Sequence, residues 1–576
     1  MNPVVKGQLD QFMKANKDVK LSESDAFEVL TIHAVENGVL TESIDPFAAH
    51  LIGNEFGIDG IAILIQGEIC TNADEAEAAL STGKKHVVEF HFFQSKTSDN
   101  LDYGHLSKFF DGVVAFIDGD FPDPSIQIQE LSEVKDLVYS QALKRNPNIR
   151  CFFAYTGTGE VGRESKKLIE ATEARLESKS LFDEIEIGIM GAKEIQTGYR
   201  SASNSITASI EIEKYITLPR HPSVAEAFLG VISAEELLKL ISVDSSLDEP
   251  RRINKAVFYD NIRDYDSGST INNDILAEIN DNEQDSFVFK NNGITVVAKE
   301  INRTSDQFNL DNYQIVNGCQ TSNIIFAAGE KSKGVSIPFR LIGSQDNDFI
   351  SSIIVGTNRQ NQVRDDQFWA LRPFMKDLEE FCGAQDGDQR LFIERRENQF
   401  REEDVERTRI VKPSDLMKSI AAMFLFQPNR AARDYRGIRS EFERRIFLPE
   451  HSVEVYHAAA YTNYRFEFFV RNRKIDRSWR IYKYFVLYAL GYEEANNSDI
   501  FALSQKKQSK AARAISKTSG NDADYLEHIE DCCTALDSLV AKAGLRTREQ
   551  VRDYIRSESI VPLFIKEVYG SEPEPG

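Results

Sequence analysis

The stretch VVEFHFFQSKTSD, residues 87–99, alternates apolar and other side chains as a buried β-strand does. Phe90 and Phe92 fall on one face of this strand, and Gln94 and Lys96 follow on the same face. A lysine on a face directed toward the core requires a partner, because an unpaired buried charge is costly. We therefore expect Lys96 to lie beside a group that compensates its charge.

The segments around this strand alternate between helices and short apolar strands. The pattern predicts a helix over residues 21–40, capped by Ser22 or Ser24, and strands over 57–68 and 148–160. Helices interleaved with short strands indicate an α/β domain over residues 1–215.

The rest of the chain divides into two further predicted domains. Prolines at positions 219 and 222 indicate a boundary, and residues 216–410 read as a central α+β domain. Within it, 287–301 and 313–328 read as strands, while the apolar spacing over 411–570 predicts a helical C-terminal domain. The fold class is thus multidomain α/β with a helical C-terminal region.

Length and composition place broad limits on the protein. A chain of 576 residues is too long to fold around a single hydrophobic core. Its content of 41% hydrophobic and 28% charged residues is typical of soluble globular proteins. No stretch approaches the ~20 apolar residues of a membrane helix, and the first residues lack the apolar run of a signal peptide. The six cysteines show neither a CxxC pair nor a metal-binding spacing, so we expect reduced thiols, a cytoplasmic location and no membrane partner.

The net charge of −23 argues against a general nucleic-acid binder, but the charge is unevenly distributed. Residues 390–483 contain 21 basic and 14 acidic side chains, and basic and aromatic residues interleave in RNRKIDRSWRIYKYF. This composition suits a surface that follows a nucleic-acid backbone, and the alternative is a helix with a solvated basic face. The candidate nucleic-acid-binding residues are Arg471, Arg473, Lys474 and Arg477.

Residues near Lys96 supply the ligands of a metal-dependent phosphodiester hydrolase. Residues i and i+2 of a strand share a face, so Gln94 would touch Mg²⁺ while Lys96 lies beside the attacking water. Asp59 in GIDGI is the first acidic ligand, and Glu28 in AFEVL is a further ligand from the preceding helix. Each element has another reading, since an Asp before Gly is common in turns and QxK can end a strand in solvent.

The order of these elements resembles the PD-(D/E)xK nuclease superfamily, and more narrowly its Mrr-like restriction endonuclease branch. The matching residues are Phe27-Glu28, Gly57-Ile58-Asp59-Gly60 and Gln94-Ser95-Lys96. The resemblance implies a restriction-endonuclease-like fold, Mg²⁺ or Mn²⁺ as cofactor, and catalytic roles for Asp59, Gln94, Lys96 and Glu28. Gln94 stands in place of the acidic residue of the parent motif, which weakens metal affinity.

Two Asn-Gly runs stand out in the central domain, FKNNGITVV (289–297) and QIVNGCQTS (314–322). Taken singly, Asn-Gly beside strand residues predicts a type I′ hairpin turn. The side chains of the second run are alternatively hydrogen-bonding groups for a phosphate or a base edge.

Together these runs resemble the AIPR family, named for abortive-infection phage-resistance proteins, over about residues 216–420. Four motifs occur in the family's order, with FYDNIRDY (258–265) upstream: Asn291-Asn292-Gly293-Ile294, Val316 through Thr321, Thr357-Asn358-Arg359-Gln360 and Glu394-Arg395-Arg396. The motif residues with an uncertain binding role are Asn291, Asn292, Gly293, Asn317, Gly318, Gln320, Thr321 and Asn358.

These observations predict an antiphage or restriction-type endonuclease that cleaves DNA and works as a homodimer to cut both strands. The alternative is a non-catalytic DNA-binding or scaffold protein that retains the nuclease fold. A nucleotide-dependent switch is a third hypothesis, but the sequence has no GxxxxGK[ST] phosphate loop. Metal-dependent cleavage separates the first two.

Overall fold

The computed structural model describes residues 1–39, 44–81, 86–141, 143, 145–203, 206–243, 252–254, 257–258, 284–358, 372–395, 399–400 and 405–570. Two mixed sheets with their helices come first, and a helical region follows. A mixed α/β chain with a helical C-terminal region confirms the broad fold class predicted from the sequence.

The first sheet is mixed and has the strand order β1-β2-β4-β5-β6, with β3 paired to β2. Strand β2 runs antiparallel to β1 and to β4, whereas β4, β5 and β6 run parallel to one another. Its strands are β1 (His50–Glu55), β2 (Ile58–Ile65), β3 (Glu68–Ile69), β4 (Val88–Lys96), β5 (Asn148–Tyr155) and β6 (Ile185–Met190). Its helices are α1 (Pro3–Ala15), α2 (Glu23–Val39), α3 (Pro46–Ala49), α4 (Ala73–Leu80), α5 (Tyr103–Asp118), α6 (Ile126–Ser140), α7 (Arg163–Glu177) and α8 (Ala192–Ser203).

Strand β4 is the centre of this part of the protein because helices cover both of its faces. Phe90 and Phe92 pack into a core with α5 and α6, and Phe93 packs on the opposite face against Ile32 of α2. The sequence placed only one face in the core, but every residue of β4 before Lys96 is buried. Parallel central strands are commonly covered on both faces, and their sequences are then apolar at consecutive positions.

A charged histidine lies within this strand. His91 contacts Glu36 through Nδ1 and Glu89 through Nε2, each at 3.0 Å, and all three side chains are buried. The two glutamates raise the pKa of His91 to about 9, against the lowering effect of burial. The imidazole is therefore a buried cation that joins α2 to β4.

The second sheet has the strand order β7-β13-β12-β14-β9-β8. Its strands are β7 (Thr207–Glu211), β8 (Lys214–Thr217), β9 (Glu226–Ser233), β12 (Ile294–Thr304), β13 (Gln307–Asn317) and β14 (Ser336–Gly343), and β10 (Ser242–Val243) pairs separately with β11 (Arg252–Ile253). The accompanying helices are α9 (Ala234–Ile241), Phe287–Lys290, Cys319–Ala328 and Asn347–Asn358. Because β7 pairs with β13, this sheet begins before residue 215, where the sequence placed the end of the first domain.

The two predicted strands at 287–301 and 313–328 are only partly correct, because each contains a short helix. Residues Phe287–Lys290 form a helical turn before β12, and β13 ends at Asn317, after which a helix begins at Cys319. The Asn-Gly runs also do not form a hairpin. Strands β12 and β13 are joined by the two residues between Thr304 and Gln307.

The C-terminal region is built from helices around a large apolar core. They are Pro373–Gly383, Pro413–Phe424, Tyr435–Phe442, Val453–Arg471, Lys483–Glu494, Gln505–Gly520, Asp522–Lys542, Arg548–Ile555 and Ile560–Tyr569. The short strands β15 (Phe392–Ile393) and β16 (Ile410–Val411) pair in parallel beside them, and short 3-10 helices include Arg407–Arg409 and Arg477–Tyr482. Within the described ranges, no helix combines the length and the apolar character that crossing a membrane requires.

Arginines of the helical region pair with acids of the first domain. Glu130 of α6, only 2% exposed, contacts Arg477 at 3.1 Å and Arg548 at 2.5 Å. Arg556 contacts Asp74 of α4 at 2.5 Å. These partly buried arginine–carboxylate pairs hold the helical region on α4 and α6 of the first domain.

Candidate functional site

Asp59 lies beside Gln94 because β2 and β4 pair antiparallel. Gly60 is opposite Phe93, so the next pair along the ladder is Asp59 with Gln94. Oδ2 of Asp59 accepts a hydrogen bond from Nε2 of Gln94 at 2.8 Å and another from the backbone N–H of Ser95 at 2.7 Å. The structure thus brings together two residues that lie far apart in the sequence.

Lys96 is the last residue of β4, and its partner is Asp59. Its Nζ lies 3.9 Å from Oδ2 of Asp59. The Lys96 side chain is 32% exposed, against 14% for Asp59, so the ammonium lies between the buried carboxylate and solvent. The lysine on the core-directed face therefore has an acidic partner, and it is placed where a ligand in solvent can reach it.

Glu28 reaches the same site from α2. Its Oε2 lies 2.9 Å from Nε2 of His50, the first residue of β1, and the two side chains are 16% and 6% exposed. The charge of Glu28 also acts on Asp59. His50 was missed by the sequence analysis, since a single histidine after a short helix carries no spacing signal.

Burial is the main cause that raises the pKa of Asp59 to about 7, and the charge of Glu28 adds to it. The ammonium of Lys96, the backbone N–H of Ser95 and His50 act in the opposite direction but do not compensate. The ionised carboxylate is therefore disfavoured in the protein alone. A further cation beside Asp59 would stabilise it.

The amide oxygen of Gln94 is buried without a hydrogen-bond partner among the described residues. This oxygen is Oε1, while Nε2 of the same amide donates to Asp59. Buried polar atoms are nearly always paired, so an unpaired one calls for an explanation. Rotating the amide by half a turn would direct Oε1 at the Asp59 carboxylate, which is favourable only if a cation lies between the two oxygens.

The donor set fits a magnesium or manganese ion of low protein coordination. Asp59 and Glu28 offer carboxylate oxygens, and Gln94 offers an amide oxygen, while Mg²⁺ usually keeps several waters. Among the described residues, no three His, Cys, Asp or Glu side chains are grouped to hold a metal ion. A metal at this site would therefore need the amide oxygen of Gln94 besides the carboxylates.

The two Asn-Gly runs of the second sheet meet each other. Nδ2 of Asn291 donates to Oγ1 of Thr321 at 3.0 Å, and Oδ1 of Asn291 accepts from the N–H of Gly293 at 2.8 Å. Gly293 and Gly318 have φ of +79° and +106°, and a Cβ at Gly318 would lie 2.6 Å from Ile294. Glycine is required there because of both backbone conformation and close packing. The Asn291 and Thr321 side chains thus hold the two runs together.

The remaining motif residues lie around this junction. Asn292 is exposed in the loop before β12, Asn317 ends β13, and Gln320 lies in the first turn of the following helix. Asn358 ends the helix Asn347–Asn358, and its side chain is outside the described part. Several predicted motif residues also fall outside it, namely 259–265, Arg359, Gln360 and Arg396.

Three of the four candidate nucleic-acid-binding residues of the basic segment contact other side chains of the protein. Arg477 pairs with Glu130, and Lys474 pairs with Asp522 and lies 5.0 Å from the ring centre of Phe468. Arg471 has its guanidinium carbon 5.9 Å from the ring centre of Tyr464, inside the protein. The fourth candidate, Arg473, is exposed. An excess of positive charge in the sequence is used here to hold acidic residues of the same chain.

Comparison with known proteins bears on the second sheet and the helical region. Residues 258–538 match the family model described as AIPR protein. The match extends beyond the resemblance noted at 216–420 and reaches the helix Asp522–Lys542. No curated protein and no solved structure matches the chain. The match covers slightly less than half of the chain and leaves Asp59, Gln94 and Lys96 outside.

Proposed function

We propose that the protein is a metal-dependent nuclease of phage defence, with its catalytic centre at Asp59, Gln94 and Lys96. The observation that carries this proposal is the convergence of a carboxylate, a buried amide oxygen without a partner and a lysine at adjoining ends of β2 and β4. The AIPR match supports the role in phage defence. The Mrr-like resemblance of the first domain supports the nuclease chemistry.

Asp59, Gln94 and Glu28 would hold Mg²⁺ or Mn²⁺, which when bound supplies Lewis-acid stabilisation of the phosphate. Lys96 lies at the exposed side of Asp59, where its ammonium orients a water and stabilises negative charge on the phosphate oxygens. His50 holds Glu28 in place through its hydrogen bond. The reaction adds water across a P–O bond, giving a phosphate monoester and a free hydroxyl.

A non-catalytic nucleic-acid-binding role is the second candidate. It is favoured by the substitution of an amide at Gln94 and by the lack of a three-residue acidic group among the described residues. In this reading Lys96 contacts the nucleic-acid backbone without catalysis. Predicted DNA binding and a homodimer apply to both candidates.

The test is cleavage of supercoiled and linear DNA, and of RNA, by the wild type and Lys96→Ala with Mg²⁺, Mn²⁺ or EDTA. Lys166→Ala is the matched control, since Lys166 is an exposed lysine on α7 of the same domain. The proposal requires metal-dependent cutting that Lys96→Ala abolishes and Lys166→Ala keeps. Binding without cutting by the wild type under all conditions would favour the second candidate.

A further inference from the structure

A cavity of about 270 Å³ lies between the first domain and the helical region. Its wall residues fall within 44–48 and 68–78 of the first domain and within 407–418 and 460–483 of the helical region. Clefts between domains are common positions for small ligands. This cavity is separate from Asp59, Gln94 and Lys96, none of which lines it.

Three residues that line the cavity have buried polar atoms without a hydrogen-bond partner in the described part of the chain. They are Arg471 at Nε and Nη2, Asn463 at Oδ1 and Thr408 at Oγ1. Buried polar atoms are rarely left unpaired, and an unpaired buried charge is especially costly. Three such residues around one cavity indicate a ligand that supplies their partners.

The unpaired edge of Arg471 is shaped for an oxyanion. Nε and Nη2 form one side of the planar guanidinium, and Arg430 uses the same edge to bind Oδ2 of Asp434 at 3.0 and 2.8 Å. Such an edge matches two oxygens of a phosphate or a carboxylate. In Arg471 both donors are buried, and no acceptor for them occurs among the residues that the structure describes.

Two acids lie near Arg471, and each is already engaged. Glu467 contacts Lys483 at 2.8 Å and Arg480 at 3.2 Å. Asp45 accepts a hydrogen bond from the backbone N–H of Phe47 at 3.0 Å, as the N-cap of α3. Burial raises the pKa of Asp45, although the charge of Arg471 acts in the opposite direction.

A hydroxyl in the same cavity wall favours a phosphate over a carboxylate. Thr408 lines the cavity, and its buried hydroxyl has no hydrogen-bond partner among the described residues. The lysines of the wall lie among acids, such as Asp415 at 3.8 Å from Lys418. A phosphate ester carries more charge and more acceptor oxygens than a carboxylate, so it can satisfy the guanidinium and the hydroxyl together. The amide of Asn463 can present either its oxygen or its nitrogen, depending on rotation.

We propose that this cavity binds a small phosphate-bearing molecule, with the phosphate on the Nε–Nη2 edge of Arg471 and on the hydroxyl of Thr408. Asn463 contacts the same ligand. Because its walls come from both parts of the chain, binding fastens the helical region to the first domain. The proposal does not rest on the proposed nuclease activity.

The test is calorimetric titration of the full-length, metal-free protein with inorganic phosphate, with adenosine monophosphate and with acetate. We expect saturable binding of at least one phosphate compound to the wild type, and none of acetate. Arg471→Gln should weaken it by about tenfold or more, since a charged bidentate contact is lost. Arg473→Gln, which changes an exposed arginine two residues along the chain, should leave it unchanged.

The relative affinities for adenosine monophosphate and inorganic phosphate distinguish the possible ligands. Tighter binding of adenosine monophosphate indicates a nucleotide, and equal binding indicates that the phosphate group alone is recognised. Thr408→Val, which is nearly isosteric, should also weaken binding and decides the case if Arg471→Gln does not fold. Binding of neither phosphate compound by the wild type at about 1 mM, or equal binding by wild type and both variants, overturns the proposal.

Discussion

Replacing Asp59 by asparagine should stabilise the metal-free first domain at alkaline pH. The pKa of Asp59 is raised from 3.8 to about 7, so the folded state binds the proton more tightly than the unfolded state. Between these two pKa values the stability therefore falls as pH rises, by about 1.4 kcal/mol per pH unit. From about pH 5 to about pH 8 the wild type loses about 3 kcal/mol through this group, and Asp59→Asn does not.

Hydrogen exchange of peptides that cover β2 and β4 measures this effect locally, which avoids assuming two-state unfolding of a multidomain chain. In EDTA, the opening free energy of Asp59→Asn relative to wild type should rise by about 3 kcal/mol between about pH 5 and about pH 8. Glu170→Gln, a change at an exposed acid on α7, is the control and should follow the wild type.

The same experiment with Mg²⁺ tests the metal site separately. The ion should restore protection to wild-type β2 and β4 above about pH 7, since a ligand that binds only the folded state stabilises it. Mg²⁺ should not change the protection of β2 and β4 in Asp59→Asn. Parallel pH dependences of the wild type and Asp59→Asn in EDTA would refute the reasoning about Asp59, whatever Mg²⁺ does.

Three further predictions concern the rest of the fold. His91→Gln should be less stable than the wild type at about pH 6, and this difference in the free energy of unfolding should shrink by about 3 kcal/mol by about pH 9.5 in urea denaturation. The pKa of His91 is raised from 6.5 to about 9, so the stabilisation by its charged form is present below pH 6.5 and is lost as pH rises through 9. Glu130→Gln should lower the opening free energy of the helical region by about 3 kcal/mol, because Arg477 and Arg548 lose their acidic partner. Hydrogen exchange or proteolysis at 548–555 should become faster, and unchanged rates would contradict this. Gly318→Ala should destabilise the second sheet by about 1–3 kcal/mol in exchange of β12, because φ there is +106°, and an unaffected β12 would show that the backbone adapts.

Local pattern was sufficient for the part of the site that lies on adjoining strands. A two-residue period and glycine-bounded apolar runs predicted β2 and β4, and their pairing then placed Asp59 beside Gln94. His50 could not be found in this way, because its contact with Glu28 depends on how β1 crosses α2. The hairpin turns predicted at the Asn-Gly runs were wrong for a similar reason. Asn-Gly beside strand residues is the local signal for a hairpin, and it is equally compatible with the contact that the two runs make with each other.

The basic segment shows why charge counts alone do not identify a binding surface. Residues 390–483 carry a positive excess within an acidic chain, and the sequence cannot say whether the partner is a nucleic acid or another part of the protein. The structure places Arg477 and Arg480 of this segment against acids of α6 and of the helical region. The arginine that keeps an unused hydrogen-bonding edge, Arg471, lines the cavity between the first domain and the helical region. Its Nε and Nη2 atoms are buried there, so they suit a small anion that enters the cavity, and the positive excess of the segment does not by itself indicate a nucleic-acid surface.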